Sequence, residues 1–421
     1  MPPSSTVPHL ATALTGPPSQ LEQLFFKHHA RIEAWFSEQF TKTPPPLYAS
    51  VDLRNAGFKI APVDTNLFPA GFNNLSDQLQ PWCIQAVAAT IADLCPHVTR
   101  ILLIPESHSR NRFYFESIGV LHRLITAAGY QLRLGSLDAV AGGSPQDITL
   151  SDGTRLPIEP VMRENDQIQL ADFVPEAIIL NNDLSHGVPD VLQDLKQQIL
   201  PSADMGWSSR LKSQHFEVYN TVAEAFALLL DCDPWWFNPL FEQCPEVDFM
   251  QREGQQCLYS RAQHLMRKVK YKHQQYQHDA PPFLAVKADA GTYGMAVMMI
   301  DEPEILLRLN RKQRTAMSTS KGGKQVTQVI LQEGILSTER LGEAAAVAEP
   351  VVYFIGSYVA GGFYRVHKGK KAQDNLNAPG MYFEPMPLLS SNGGEPIESN
   401  RFYAYAVVAR LALLAAAREG Q

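Results

Sequence analysis

Apolar residues at helical spacing run through residues 21–40 and predict an amphipathic helix, which the TKTPPP stretch ends. Residues 1–20, rich in Pro, Ser and Thr, are expected to form a loose tail. Two strand-like runs, 47–53 and 59–66, flank an Asn55-Ala56-Gly57 turn and predict a hairpin. From residue 81 strands and helices alternate. Residues 82–94 and 114–128 carry the helical period, while 98–104, 130–134 and 177–180 are short apolar runs suited to buried strands. Residues 148–156 predict a hairpin about Asp152-Gly153, and 188–200 has helical spacing again. This alternation predicts an open α/β domain with a mainly parallel sheet, whose ligands belong at the carboxyl ends of its strands. Residues 216–280 are predicted helical. The last third mixes strands with glycine-rich turns and closes on a helix over 399–418.

Composition narrows the class. Of 421 residues, 45% are hydrophobic and 19% charged, which fits a globular chain of two to three domains. The net charge of -7, from 36 basic and 43 acidic residues, argues against a nucleic-acid partner. Five cysteines without a C-x-x-C pair exclude a disulfide framework and a cysteine zinc site, and they suit a reducing compartment. The longest apolar candidate, 403–418, is short for a bilayer span and contains Arg410. The first residues lack a basic region followed by an apolar core. A soluble cytoplasmic protein without a membrane partner is the expectation. The expected divisions are a tail and helix (1–45), a hairpin (46–80), an open α/β domain (81–215), a helical linker (216–280) and a final domain (281–421).

The sharpest local chemistry lies in PFLAVKADAGTYGMAVMMI. A buried strand presents Lys287, a loop with Gly291 and Gly294 follows, and a second apolar strand returns. Glycine lets backbone N–H groups approach a phosphate, and lysine supplies a point charge. The lysine precedes the glycines, so this is no Walker A loop, and a strand rather than a helix follows, so it is no dinucleotide fingerprint. Taken alone it is equally compatible with a tight hairpin bearing a surface lysine. Over 326–335, apolar strand residues lead into Gln332-Glu333-Gly334, a strand end suited to an adenine amine and a ribose hydroxyl. Residues 308–324 hold six basic and no acidic residues, a mobile lid over phosphates or a solvated loop. Strand, Gly361-Gly362 turn and strand then deliver Arg365, with Asn375-Leu376-Asn377 ten residues on. An arginine beside a transferring phosphoryl group stabilises the charge that builds there.

In this order the motifs resemble the ATP-grasp ligases, and glutathione synthetase among them. The resemblance covers roughly residues 283–380. It implies that ATP lies between two α+β lobes, with Lys287 on the phosphates, the loop Gly291-Thr292-Tyr293-Gly294 closing over them, and Gln332 and Glu333 at the adenine hinge. Arg365 acts beside the phosphates, and Asn375 and Asn377 belong to the Asn-Leu-x-Ala loop. The family's upstream lysine has no unique match: Lys270 is the candidate, with its flanking lysines as rivals. The family's Mg²⁺ carboxylates usually follow that loop, yet here only one more helix remains. Asp52 on one hairpin strand, with Asp64 and Asn66 sharing one face of the next, resemble the missing set. Hard oxygen ligands of this kind suit Mg²⁺. The fold class expected is therefore α/β (α+β): an ATP-grasp fold with a preceding open, Rossmann-like α/β domain, circularly permuted so that the closing strands come first.

Longer motifs, VDLRNAGFKIAPVDTNLFPAGFNN, PESHSRN, LNNDLS, GWSSRLKSQHF and VKADAGTYGM, are similar to the proteobacterial-type glutamate–cysteine ligases from about residue 20 onward. That resemblance implies ATP-dependent joining of the glutamate γ-carboxylate to cysteine through an acyl phosphate. Two amino acids bring carboxylates and amines, which call for arginine forks, amide donors and a few carboxylates. Arg54, Arg110, Arg210 and Lys212 are candidates for the carboxylates. Asn73, Asn74, Asn111, Asn181 and Asn182 are candidate amide partners, and Asp183 or Glu106 could take an ammonium. Singly, each Asn or Asp is as well explained as a turn former. Rival readings are a glutathione synthetase-like ligase, a phosphotransferase and a non-catalytic nucleotide-binding protein.

Overall fold

The computed structural model describes residues 7–106, 111–137, 146–290, 295–319, 325–389 and 396–419. Gly291, Thr292, Tyr293, Gly294 and Arg110, with most of the basic stretch's Ser-Gly segment, lie outside them.

The predicted α/β domain is built on a six-stranded sheet. Gln198–Leu200, Ala177–Asn181, Arg100–Pro105, Gln131–Ser136 and Arg155–Pro160 run parallel in that order, and Gln146–Thr149 closes one edge antiparallel. Helix Arg112–Ala127 makes the crossover from Arg100–Pro105 to Gln131–Ser136, and its buried Ile118, Leu121 and Ile125 sit at helical spacing. The central strands, buried on both faces, read as unbroken apolar runs, which is why they were legible.

The hairpin pairs Tyr48–Asn55 with Ile60–Asn66, turning at Gly57 in a left-handed conformation. It does not stand alone. Tyr48–Asn55 also pairs antiparallel with Ala346–Ile355, so the sheet runs Tyr382–Pro385, Tyr358–His367, Ala346–Ile355, Tyr48–Asn55, Ile60–Asn66. Helix Phe402–Arg418 packs against this sheet, buried from Phe402 to Ala416. Its long apolar run is explained by this central position. Among the described residues no helix is long and apolar enough to cross a membrane.

A third, antiparallel sheet orders Phe241–Cys244, Val329–Glu333, Leu284–Ala288 and Val297–Ile300. Helix Arg252–Gln275 covers it. Leu258, Ala262, Leu265 and Val269 pack there with Leu284, Val286 and Leu331 in a core separate from the main one.

Four expectations change. Residues 188–200 form a short 3-10 turn, Asp190–Leu192, and the edge strand Gln198–Leu200 instead of a helix. Asp194 is left-handed there, and the buried Gln197 amide is spent on Ile168 and Pro175 backbone groups, so pairing overrides the helical spacing. Gly361 and Gly362 are not a turn: the turn is at Gly356, and both glycines lie within Tyr358–His367. A Cβ on Gly362 would stand 2.9 Å from the Phe402 ring and 3.1 Å from the Val351 carbonyl, so glycine admits the last helix. Residues 7–19 are no loose tail. Leu10 bridges Leu388, and Ala11 N–H donates to the Pro387 carbonyl at 2.9 Å. Finally, 216–280 is not wholly helical: Phe241–Cys244 is a strand bounded by Leu240 and Pro245, and it joins the third sheet.

Candidate functional site

Between the hairpin and the third sheet lies a cleft to which Asp52, Asp64, Lys212, Lys287, Gln332, Glu349, Arg365, Asn375 and Asn377 all contribute. Strand alternation builds it. Asp52 and Asp64 are register partners across the hairpin, and Glu349 and Arg365 are partners across the next strand pair.

The charges are tightly knit. Arg365 Nη1 donates to Asp52 Oδ2 at 2.9 Å and to Glu349 Oε1 at 2.6 Å. Glu349 Oε2 accepts from Arg54 Nε at 3.0 Å. Burial raises the Glu349 carboxyl, but Arg54 and Arg365 outweigh it and hold it below the usual range. For Asp52 burial dominates and the carboxyl is raised, with Arg365 opposing and Glu349 adding to the rise. Lys287 Nζ donates to the Val63 carbonyl at 2.7 Å and to Gln332 Oε1 at 2.6 Å. Burial, then Lys212 and Arg54, lower its ammonium to about 8 against the pull of Asp64. Lys212 Nζ meets Asp64 Oδ1 at 2.6 Å. Burial would raise Asp64, yet Lys212 and Lys287 hold it below the carboxylate range.

Lys212 is held from several sides. Its N–H donates to the Asp289 carbonyl, and the Asp289 carboxylate caps the same helix end through Ser213 N and Oγ, each at 2.7 Å. Its Nζ lies 4.1 Å from the Trp207 ring centroid. Trp207 N–H in turn donates to the Asp183 carbonyl, which ties the parallel sheet's strand ends to the cleft.

Several other candidates, including Arg54 and Glu333 in the cleft wall, have structural tasks. Arg54, 4% exposed, also donates to the Ile335, Ala372 and Asp374 carbonyls. Arg210 donates to Glu419 and to the Thr65 carbonyl. Glu333 accepts from the buried Lys59 at 2.8 Å, from the buried Trp235 indole and from Leu240 N–H. Gly334 beyond it admits the Phe283 ring, 2.3 Å from where a Cβ would stand. Asn111 caps helix Arg112–Ala127. Asn182 and Asp183 close the turn after Ala177–Asn181, and the Asn181 amide donates to the Pro69 carbonyl. Asn73 and Asn74 lie on the 3-10 turn Phe72–Asn74, where the buried Asn73 Oδ1 has no hydrogen-bond partner. Asn66 closes a local turn with Phe68 and does not line the cleft. Lys270 is exposed on helix Arg252–Gln275, away from it.

Glu349, Lys59, Trp235, Asp289 and Glu419 are not among the residues that the sequence singles out. Glu349 had a signal: it is the one charged residue of the fully buried strand Ala346–Ile355. The others carry none that a single sequence displays.

Among the described residues no group of three or more His, Cys, Asp or Glu gathers as a metal site. Asp52 and Asp64 nonetheless face one cleft as paired hard-oxygen donors. That fits Mg²⁺, which is held through one or two carboxylates with phosphates completing the shell.

The family model for glutamate-cysteine ligase (GshA) matches residues 22–420. A crystal structure of a candidate gamma-glutamylcysteine synthetase from Methylobacillus flagellatus KT is similar over 99% of this chain and 99% of its own, with 48% identity and a TM-score of 0.87. A glutathione synthetase-like effector from Globodera pallida is far more remote: 10% identity over 87% and 84% of the two chains, TM-score 0.39. D-alanyl-alanine synthetase A from Vibrio cholerae O1 biovar eltor is similarly remote, at 11% identity, 75% and 81% coverage and TM-score 0.36. No curated protein matches the chain.

Proposed function

The chain belongs to the glutamate-cysteine ligase family, and from that premise we propose that the cleft between hairpin and third sheet is where its ATP and glutamate react. The protein is an ATP-dependent ligase that forms gamma-glutamylcysteine. The observation that carries the site is the meeting of Asp52, Asp64, Lys287 and Arg365 from three distant parts of the chain.

In this reading the glutamate γ-carboxylate takes the terminal phosphoryl group, giving an acyl phosphate, and the cysteine amine displaces phosphate. No side-chain nucleophile takes part. Lys287 and Lys212 bind phosphate oxygens, and Arg365 balances the charge of the transferring group. Lys212, already in the cleft, takes the upstream-lysine role in place of Lys270. Asp52 and Asp64 would hold Mg²⁺, which would supply neutralisation of the phosphate charge. Gln332 and the backbone around Gly334 edge the adenine pocket, with Glu333 as its buried support. Asn375 and Asn377 border the acyl end. The fold is an ATP-grasp in which the closing strands precede the α/β domain. The pairing of Tyr48–Asn55 with Ala346–Ile355 supports that order.

Glutamate labelled with ¹⁸O in its γ-carboxylate tests the chemistry. One label should appear in released phosphate, and only when ATP, Mg²⁺ and cysteine are all present. Phosphate free of label would refute the acyl phosphate. ADP release with glutamate alone at the full rate would favour a phosphotransferase.

A further inference from the structure

Two of the five cysteines meet outside the cleft. Cys244, buried at the end of strand Phe241–Cys244, and Cys257, exposed on helix Arg252–Gln275, have Sγ atoms 3.7 Å apart. The other thiols are separate: Cys83 donates to the Ala360 carbonyl and Cys95 to Gln198 Oε1, while Cys232 is half-buried elsewhere. A spacing of 13 residues hides the pair from any C-x-x-C search.

A disulfide holds its sulfurs about 2.05 Å apart, so closure requires an approach of less than about 2 Å. The two thiols differ in access. Cys244 is enclosed, and burial, with Cys257 beside it, pushes its thiol up to about 12. Cys257 opens onto a surface hollow edged by Glu246, Asp248, Gln251 and Thr327, where a small reagent can approach. An exposed attacking thiol with an enclosed thiol at its back is the arrangement thiol–disulfide exchange needs.

We propose that Cys244 and Cys257 form a reversible dithiol–disulfide site whose oxidants are small disulfides of amino-acid or peptide thiols. Cys257 loses its proton to solvent and attacks one sulfur of R–S–S–R. One R–S⁻ leaves, takes up a proton, and a mixed disulfide remains on Cys257. The Cys244 sulfur, its proton released, then attacks the Cys257 sulfur and expels the second R–S⁻, which is protonated in turn. Two protein thiols are oxidised to one disulfide, and one small disulfide is reduced to two thiols. The new bond ties helix Arg252–Gln275 to a strand whose Cys244 and Phe241 lie opposite Val329 and Gln332. Neighbouring Gln243 donates to Asp289, the residue that caps the Lys212 helix. The site stands independently of the reading of the cleft.

The test uses reduced full-length protein and bis(2-hydroxyethyl) disulfide, followed by thiol counting and peptide mass mapping. Wild type should lose two of its five thiols, show the Cys244 and Cys257 peptides cross-linked, and recover both thiols with dithiothreitol. Cys244→Ala should stop at a stable hydroxyethylthio adduct on Cys257. Cys257→Ser should keep all its remaining thiols; its position is exposed, so it decides the matter even where the buried variant fails to fold. A stable adduct on Cys257 in wild type, a cross-link through Cys232, or five intact thiols would overturn the proposal.

Discussion

Arg365 Nη1 donates to Asp52 Oδ2 at 2.9 Å across 313 residues of sequence. The same nitrogen reaches Glu349 Oε1, so one donor serves two half-buried or buried carboxylates. The buried Arg365 Nε has no hydrogen-bond partner.

Removing this cation leaves Asp52 without that partner and Glu349 with Arg54 alone. Arg365→Leu is expected to destabilise the fold by about 3–5 kcal/mol, the usual cost of breaking a buried pair. Arg365→Lys retains the charge and most of the stability but cannot reproduce the planar guanidinium geometry. Its kcat should fall by roughly 10²–10³-fold. Urea unfolding and steady-state rates on both variants separate the two effects.

Lys287 is lowered to about 8 in the fold, from 10.5. Its charge is lost as pH rises through about 8. Since kcat/KM reports the free enzyme, kcat/KM for ATP should decline above that pH, and Lys287→Arg should move the decline upward. Lys287→Ala should abolish turnover and leave the fold intact. Between about 8 and 10.5 the unfolded chain binds more protons at this lysine, so the group's contribution to stability rises with pH there. A wild-type profile without an alkaline limb would sink the assignment.

The two candidate upstream lysines predict opposite outcomes. Lys212→Ala removes a charged contact of about 1.5–3 kcal/mol, so KM for ATP should rise roughly 10–100-fold. Lys270→Ala, at an exposed position, should change it by less than about twofold. Initial rates at varied ATP decide between them.

Glu419, beside Arg210 and His215, is lowered to about 2: burial raises it, but the two partners prevail. With a depressed folded value, its stabilisation is complete above the unfolded value near 4.5 and is lost as pH falls toward about 2. Glu419→Gln should lower the urea midpoint at neutral pH and flatten its acid dependence. Because Arg210 also grips the Thr65 carbonyl beside Asp64, KM for ATP should rise in the same variant.

Glu339 behaves oppositely. Burial raises it to about 7, against hydrogen bonds from Tyr364, Tyr405 and Asn55. Its stabilisation is complete below the unfolded value near 4.5 and is lost as pH climbs through about 7. Glu339→Gln keeps the shape without the charge, and should stabilise the protein at pH 8 by at most about 3 kcal/mol. Melting curves at acid and alkaline pH, which should converge in the variant, check this.

Local pattern carried much of the architecture. The apolar runs Arg100–Pro105 and Ala177–Asn181 are buried on both faces, so their composition alone marked a parallel sheet. The Asn-Ala-Gly turn likewise announced its hairpin. Where a segment's state depends on its packing partner, pattern misled. Gln198–Leu200 is a strand because Ala177–Asn181 has a free edge. Gly362 sits mid-strand because Phe402 presses on it.

The sequence by itself determined which side chains were available for chemistry: a strand lysine before glycines, an arginine on a hairpin and two aspartates on the paired strands of an early hairpin. Alternation along each strand also determined which of them share a face. Tertiary structure alone decided the company each keeps. Arg54 and Glu333 do line the cleft, yet each is also tied to protein partners, as Arg210 is to Glu419. Glu349 and Lys212 join the cleft through strand register and a helix cap. The reason is physical: a buried charge is stable only when paired. Its partner is chosen by long-range packing, which a single sequence does not display.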